Sequence, residues 1–442
     1  MSFNIGLSGL YAANKSLDVT GNNIANVATT GFKSSRAEFA DQYAQSIRGT
    51  SGNTSVGSGV RTAAVSQQFS QGSLTTGTAN SLDLAINGDG FFMMSNNGEK
   101  LYTRAGAFHT DKEGYVVNSS NMKLQGYNVD ANGSVVTGAL SDLRVNASNL
   151  DPKATSTITN SANLNSTTPL PTVATFDATD TKSYNNKYST PTYDTQGNAH
   201  TLDQYFVKTG TNTWSMYSLM DGRSISDPTS TAPDKNDLTF DSSGNLVTTA
   251  GAAVPTDSAN IKFNADGTFA VNNWVPGVQV GTGTTATWAA NGATGAASIK
   301  LDMSSTTQTA SVSGLLKQDQ NGYATGQLSG MNVDSSGNLF ATYTNGKSQV
   351  IGQTSLTSFA NVQGLTPAGG TNWRETFASG VPVSGAPQSG TLGYITGQAL
   401  EESNVDLTME LVNLIKAQSN YQANAKTIST QSTIMQTTIQ MT

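Results

Sequence analysis

The side chains able to do chemistry in this 442-residue chain are few and widely scattered. There are two histidines, His109 and His200, and no cysteine. A histidine-rich or thiolate metal site is therefore ruled out, as is any disulfide. A Ser-His-Asp arrangement would depend on one of two unremarkable histidines, and no G-x-S-x-G occurs. Aspartates recur before glycines at Asp111/Gly114, Asp194/Gly197, Asp241/Gly244, Asp319/Gly322 and Asp334/Gly337. No glutamate closes any of these at calcium-loop spacing. They read instead as hairpin turns, in which Asp bonds backbone amides and Gly takes the positive φ. Gly88-Asp-Gly90 is too short and too closely flanked by strand-like residues to cradle a phosphate. Arg36, Arg48 and Arg61, set among Ser and Gly, read as a solvated face. Trp214, Trp274, Trp288 and Trp373 could stack on sugars, but tryptophans spread over separate regions more often anchor cores. No nucleophile–base pair emerges, so the expectation is a non-enzymatic protein with no cofactor and no metal.

The bulk composition agrees with a structural role. Charged residues make up 12%, against roughly 25% in an average soluble protein, and Ser, Thr, Asn, Gln and Gly take their place. The formal net charge of −7 is spread along the chain, and no Lys/Arg run offers a nucleic-acid footprint. The N-terminal residues lack the basic and apolar regions of a cleaved signal. No apolar run is long enough to span a bilayer.

Two kinds of element must position these residues. At the N-terminus, Phe3, Leu7, Leu10, Asn14, Leu17, Gly21 and Ile24 recur at steps of four and three. At the C-terminus the rhythm runs through Leu407, Leu411, Leu414, Gln418, Tyr421, Ala425, Ile428, Ser432, Met435 and Ile439. Both patterns predict coiled-coil-like helices, with Asn404 or Asp406 as the cap of the second. Flanks of Thr, Ser, Gln and Asn, with only Glu410, Lys416 and Lys426 charged in the second helix, suit helices packed on several sides. A helical hairpin closing one monomer's core is the alternative reading.

The middle of the chain reads as β. Hairpins are expected where 82–86 meets 91–94 across Asn87-Gly88-Asp89-Gly90, at 204–219, and at 340–351 across Asn345-Gly346. Loops are expected over 45–62, 222–260 and 276–297, an extended stretch over 364–391, and a crossing between domains over 146–175. The fold class is therefore mainly β with α-helical termini.

The run Gly21-Asn22-Asn23-Ile24-Ala25-Asn26-Val27-Ala28-Thr29-Thr30-Gly31-Phe32-Lys33 is the most specific feature. It resembles the N-terminal signature of the flagellar axial protein family, which forms the rod, hook and hook-filament junctions. Asn22, Asn23, Asn26, Gly31, Phe32 and Lys33 carry that likeness. Ser81-Leu-Asp-Leu-Ala-Ile-Asn-Gly-Asp-Gly-Phe-Phe92 resembles the opening strand of the family's inner β-domain. Residues 191–219 resemble the insert domain of hook proteins, and 403–422 the family's C-terminal segment. The large insert favours the hook over the shorter rod proteins.

That resemblance implies an architecture. Residues 1–27 and 405–442 would form a helical core domain and 28–70 an extended connecting segment. Residues 71–145 and 321–398 would form an inner β-domain, and 146–320 an outer β-domain inserted in it. It also implies a function: a helical homopolymer, curved and tubular, that transmits torque from rod to filament as a universal joint. The partners implied are other copies, the rod, hook cap and junction proteins, and the flagellar type III export apparatus. The location implied is the hook, outside the cell, reached without a cleaved signal. A distal rod or junction protein is the alternative within the class, and a secreted sugar-binding adhesin is the alternative outside it.

Overall fold

The periodic ends form two long helices, α1 (Ser2–Ala25) and α2 (Leu407–Gln440), which pack on each other. The computed structural model describes residues 2–42, 57–130, 133–145, 149–247, 255–264, 266–281 and 286–441. Arg48, Asn146 and most of the loop expected over 45–62 lie outside them. Asp406 caps α2, its side chain accepting from the Met409 amide at 3.0 Å. Among the described residues no helix is long and apolar enough to cross a membrane.

The chain divides into two compact units: 1–147 with 329–342 and 348–442, and 148–328 with 343–347. The first holds α1, α2 and the inner β-structure. The connecting segment expected to be simply extended is in fact an antiparallel ribbon. Ser35–Asp41 pairs with Val60–Gln67, with a bulge between Glu38 and Phe39, and the ribbon packs on α1.

The first unit's main sheet runs through Ser348–Thr354, Lys123–Tyr127, Phe91–Asn96, Glu99–Thr103 and Asn372–Arg374. The apolar run at 91–94 is a strand buried on both faces, as continuous hydrophobicity requires. Phe92 and Met94 point into a core with Leu84, Ile86 and Phe108. Phe91 and Met93 point the other way, into an aromatic cluster with Tyr102 and Trp373.

The hairpin expected across 87–90 does not form. Leu84–Asn87 pairs with Tyr394–Gly397, while Phe91–Asn96 takes other partners. Gly88 and Gly90, at φ 100° and 126°, redirect the chain between these pairings. The hairpin across Asn345-Gly346 does form, Asn338–Tyr343 pairing with Ser348–Thr354. The stretch expected to be extended over 364–391 folds into short strands and two 3-10 turns.

In the second unit two sheets share one core. Asn186–Tyr193, Ala199–Gly210, Thr213–Met220 and Asp234–Thr239 form one antiparallel sheet, and 204–219 is its central hairpin. The other sheet contains Ile261–Phe263, Phe269–Asn272, Ser298–Asp302, Thr157–Asn165 and Gly314–Gln320. Trp214, Met216, Leu238, Ile158, Leu164 and Ile299 meet between them.

Four expectations fail in this unit, the first being the loop over 222–260, where Asp234–Thr239 is a strand paired with Thr213–Met220. Thr157–Asn165, expected in a crossing, is the strand between Ser298–Asp302 and Gly314–Gln320. Its polar residues hid it: buried Asn160 donates to Thr190 at 2.7 Å and to Gln204 at 2.8 Å. Gly277–Val280 and Thr287–Ala290 form a ribbon where a loop was expected. Residues 321–328 belong to this unit, because Leu150 and Gly326 exchange backbone bonds of 2.8 and 3.1 Å and Lys153 bridges Tyr323.

Candidate functional site

The signature residues are a chain-reversal device. Asn26 stays local, its amide donating to the Asn22 carbonyl at 2.9 Å. Buried Asn23 reaches 12 residues on: its amide donates to the Ser35 carbonyl (2.8 Å) and its Oδ1 accepts from the Ser35 amide (2.9 Å). That two-bond clasp stands α1 against the first ribbon strand. Gly31 sits at φ 68°, and a Cβ there would lie 2.4 Å from the Ala105 nitrogen, so only glycine fits. The Gly31 amide donates to the Glu401 carbonyl at 2.8 Å. Asn22 is exposed and Phe32 half-buried.

Lys33 ends the signature in a buried charge network. Its Nζ lies 2.5 Å from Glu401 Oε1 and donates to the Ser70 carbonyl at 2.7 Å. Arg104 Nη1 holds Glu401 Oε2 at 3.1 Å, and the Gly72 amide adds a bond to Oε1 at 3.0 Å. Burial pushes the Lys33 ammonium below its usual range, and Glu401 offsets this only in part. Asn404, offered in sequence as a helix cap, instead accepts from the Ser34 amide and donates to the Gln68 carbonyl, both at 2.7 Å. The sequence singled out Lys33 but neither Glu401 nor Arg104. Both lie far off in the chain, in stretches with no signature of their own.

On α1 the helix pair meets one position from the expected seam, while on α2 the contact includes the seam residues Leu414, Ala425 and Ile428. The buried positions of α1 are Gly6, Ala13, Thr20 and Asn23, each one before the expected Leu7, Asn14, Gly21 and Ile24. The reason is steric. Gly6 and Gly9 let the backbone close on α2, where a Cβ would stand 3.0 Å from Ile428 Cγ1 and 2.4 Å from Asn424 Oδ1. Gly21 has nothing within 4 Å and lies outside the contact. On α2, Ala417 is buried, and Glu410, Leu414, Asn424, Ala425, Ile428 and Gln431 are half-buried. Glu410, expected off the seam, is therefore on the contact stripe.

The bulky residues are left on the flanks. Leu7, Leu10, Leu17 and Ile24 are half-buried, and Phe3, Leu407, Leu411, Tyr421, Met435 and Ile439 are exposed. Tyr11, Met409, Val412, Ile415 and Ile434 add to this exposed apolar surface. Small residues of α1 thus meet Asn424 and Ile428 of α2, while Phe3, Leu407, Leu411, Tyr421 and Met435 stay exposed in the single chain.

The remaining candidates are structural. Asp111, Asp194, Asp241 and Asp334 each accept backbone amides two and four residues on, with the glycine at positive φ. Asp319 differs, because it lies within the strand Gly314–Gln320. Trp214, Trp274 and Trp373 are buried, at 0%, 5% and 2% exposure, and cannot offer a sugar-stacking platform. Half-buried Trp288 lies on a ribbon under Arg223. His200 is clamped between Asp221 (2.6 Å) and Asp194 (3.4 Å). Among the described residues no cluster of His, Cys, Asp and Glu is set to hold a metal.

Two terminal helices packed on each other, an Asn23 clasp that reverses the chain after α1, β-structure in the same compact unit and a second β-unit inserted in the chain define an axial flagellar protein. Family models match in that order. "Flagella basal body rod protein" covers 3–33 and "Flagellar hook protein FlgE/F/G D1 domain" covers 85–161. "Flagellar basal body protein FlaE D2 domain" covers 163–323, and "Flagellar basal body rod FlgEFG protein C-terminal" covers 396–441. The chain is 39% identical over 444 residues to the flagellar hook protein FlgE of Salmonella typhimurium, each chain covered in full. It is 38% identical to that of Escherichia coli K12, again over both full lengths. It is 33% identical to that of Borreliella burgdorferi, over 99% of this chain and 98% of the relative. The chain belongs to the flagellar hook protein family.

Proposed function

We propose that this chain is the structural subunit of the hook, polymerising into a curved tube that encloses the export channel and transmits torque from rod to filament. The observation that carries this is the split in the terminal helices: small residues of α1 meet α2 closely, while Phe3, Leu407, Met409, Leu411, Val412, Ile415, Tyr421 and Met435 lie exposed on the outside of the pair. Exposed contiguous apolar surface marks an interaction face. On helices at both ends of a chain in this family, the fitting occupants are the same helices of neighbouring copies.

In this reading residues 1–27 and 405–442 build the inner wall and the ribbon within 28–70 braces them. The β-structure of 71–145 with 329–342 and 348–398 forms a middle layer, and the second unit, 148–328 with 343–347, an outer one. The wall carries few charges, which suits passage of unfolded chains of varied charge. The partners are further copies, then rod, cap and junction proteins, with delivery outside the cell by the flagellar export apparatus without a cleaved signal. The chain acts without catalysis or cofactor.

The test is polymerisation of the purified full chain, imaged by electron microscopy. Leu411→Asp, at an exposed position, should leave the thermal unfolding of the monomer unchanged and abolish tubes, because a carboxylate buried between copies lacks a partner. Tubes of normal yield from that variant would reject the assigned role of the helices.

A further inference from the structure

The first unit carries an apolar knob and an aromatic cleft that no contact within the chain explains. The knob is Phe377, whose side chain is fully exposed at 105% of its reference area. It is held out by a fixed backbone. Phe377–Ser379 is a 3-10 turn capped by Thr376, with the reciprocal Thr376/Ser379 capping box complete. Thr376 Oγ1 donates to the Gly364 carbonyl at 2.6 Å and Asn361 Nδ2 to the Ala378 carbonyl at 3.0 Å. Gly380, at φ 78°, ends the turn. A phenyl ring on so constrained a turn loses little freedom when it docks.

The cleft has a volume of about 480 Å³ and is walled by Phe69, Phe91, Phe359, Val381 and Val383. The two valines stand 81% and 64% exposed at its mouth. Arg104 lines it too and is 4% exposed. Its terminal nitrogens serve Glu401, Ile86 and Gly88, but Nε has no partner among the described residues. The cleft thus offers apolar and aromatic walls, with the Arg104 guanidinium 5.5 Å from the centroid of the Phe91 ring. It fits an aromatic side chain.

We propose that Phe377 of one copy seats in the Phe69/Phe91/Phe359 cleft of the next, so that the middle layer of the tube is joined by a directional contact between copies. Knob and cleft are separate groups of residues that lie near each other on the chain. A contact that takes the knob of one copy and the cleft of the next is heterologous and leaves the other two groups open; it continues as a helix where its rotation does not close a ring. A second copy is the occupant because the chain itself supplies the matching aromatic group at a fixed position, and because an open, repeating contact is what a helical polymer needs. The inference rests on the hook-subunit reading and names a contact apart from the terminal helices.

The absence of cysteine from the chain makes the test direct. Full-length Ala378→Cys, which keeps Phe377 and sits exposed on the same turn, is mixed with full-length Val383→Cys, polymerised and oxidised, then separated on a denaturing gel. Mixed dimers joined through 378 and 383 are expected, and neither variant alone should give them. In parallel, Phe377→Ala should slow polymerisation by about ten-fold or more, as loss of a buried aromatic anchor does, with the monomer's thermal unfolding unchanged. Tubes that form without the mixed dimer, or Phe377→Ala assembling at the normal rate, overturn the contact. Failure of the unsubstituted chain to form tubes overturns the hook-subunit reading, and the contact falls with it.

Discussion

Lys33 and Glu401 are 368 residues apart in sequence, yet Nζ and Oε1 meet at 2.5 Å with both side chains wholly buried. Arg104 completes the site on the second carboxylate oxygen. One carboxylate therefore neutralises two buried cations, and it ties the chain leaving α1 to the chain entering α2.

The stoichiometry predicts an asymmetry between the partners. Glu401→Gln leaves two buried cations without a counter-charge. It should destabilise the first unit by about 3–5 kcal/mol, the usual cost of breaking a buried pair from one side. Lys33→Met leaves Glu401 still paired with Arg104 and should cost less. Urea unfolding of the full chain, followed at the buried Trp373, measures both. Equal losses would mean that Arg104 does not compensate.

His200 should make the second unit's stability depend on pH. Burial disfavours the imidazolium, but the hydrogen bonds and charges of Asp221 and Asp194 outweigh it and hold His200 above its usual value. Burial would raise Asp194, yet bonds from Asn198, Asn291 and His200 bring it below the usual carboxylate value. A raised histidine contributes stability that is complete below its unfolded pKa of about 6.5 and is lost as pH rises through the folded value. A lowered aspartate contributes above its unfolded pKa and loses that contribution as pH falls through the folded one. The unit should be most stable between those limits, in mild acid. The melting-temperature advantage of the natural chain over His200→Gln should shrink as pH rises from about 5.5 to 9. A constant difference would reject the clamp.

Two helical glycines should respond oppositely to substitution. Gly9→Leu drives a side chain into Asn424 and should lower the temperature at which tubes dissociate. Gly21→Ala meets nothing within 4 Å. It should leave that temperature unchanged or raised, since alanine favours a helix by about 0.5–1 kcal/mol. A greater loss from Gly21→Ala would restore the seam read from sequence.

In the hook-subunit reading the second unit should be separable from assembly. Leu150 and Gly326 lie side by side where the chain enters and leaves it. Deleting 151–325 and joining these residues through a short glycine linker needs little span. If the second unit forms the proposed outer layer, tubes should still form, with altered curvature, because contacts at the largest radius change spacing most when a tube bends. Unchanged curvature in electron micrographs would refute that role.

Much was legible in the sequence itself. Heptad rhythm marks both helices, because a 3.5-residue repeat shows whatever the partner. Asp-x-x-Gly and Asn-Gly mark turns, because their geometry is local. The signature around Asn23 and Gly31 announces the family. Tertiary structure alone decided the rest. The face of α1 in contact is one position from its apolar one, because backbone approach at Gly6 and Gly9 outweighs side-chain hydrophobicity in choosing the nearest neighbour. The strand at 157–165 is hidden by polar residues such as Asn160, whose amide is satisfied across the sheets. The strand 84–87 ignores the tempting turn beside it and pairs with 394–397. Lys33 acquires its meaning from Glu401 and Arg104, and no local pattern foretells a charge network drawn from three distant parts of the chain. Period and turn chemistry act over a few residues and are written in them; burial, close approach and charge pairing belong to whatever the fold brings together.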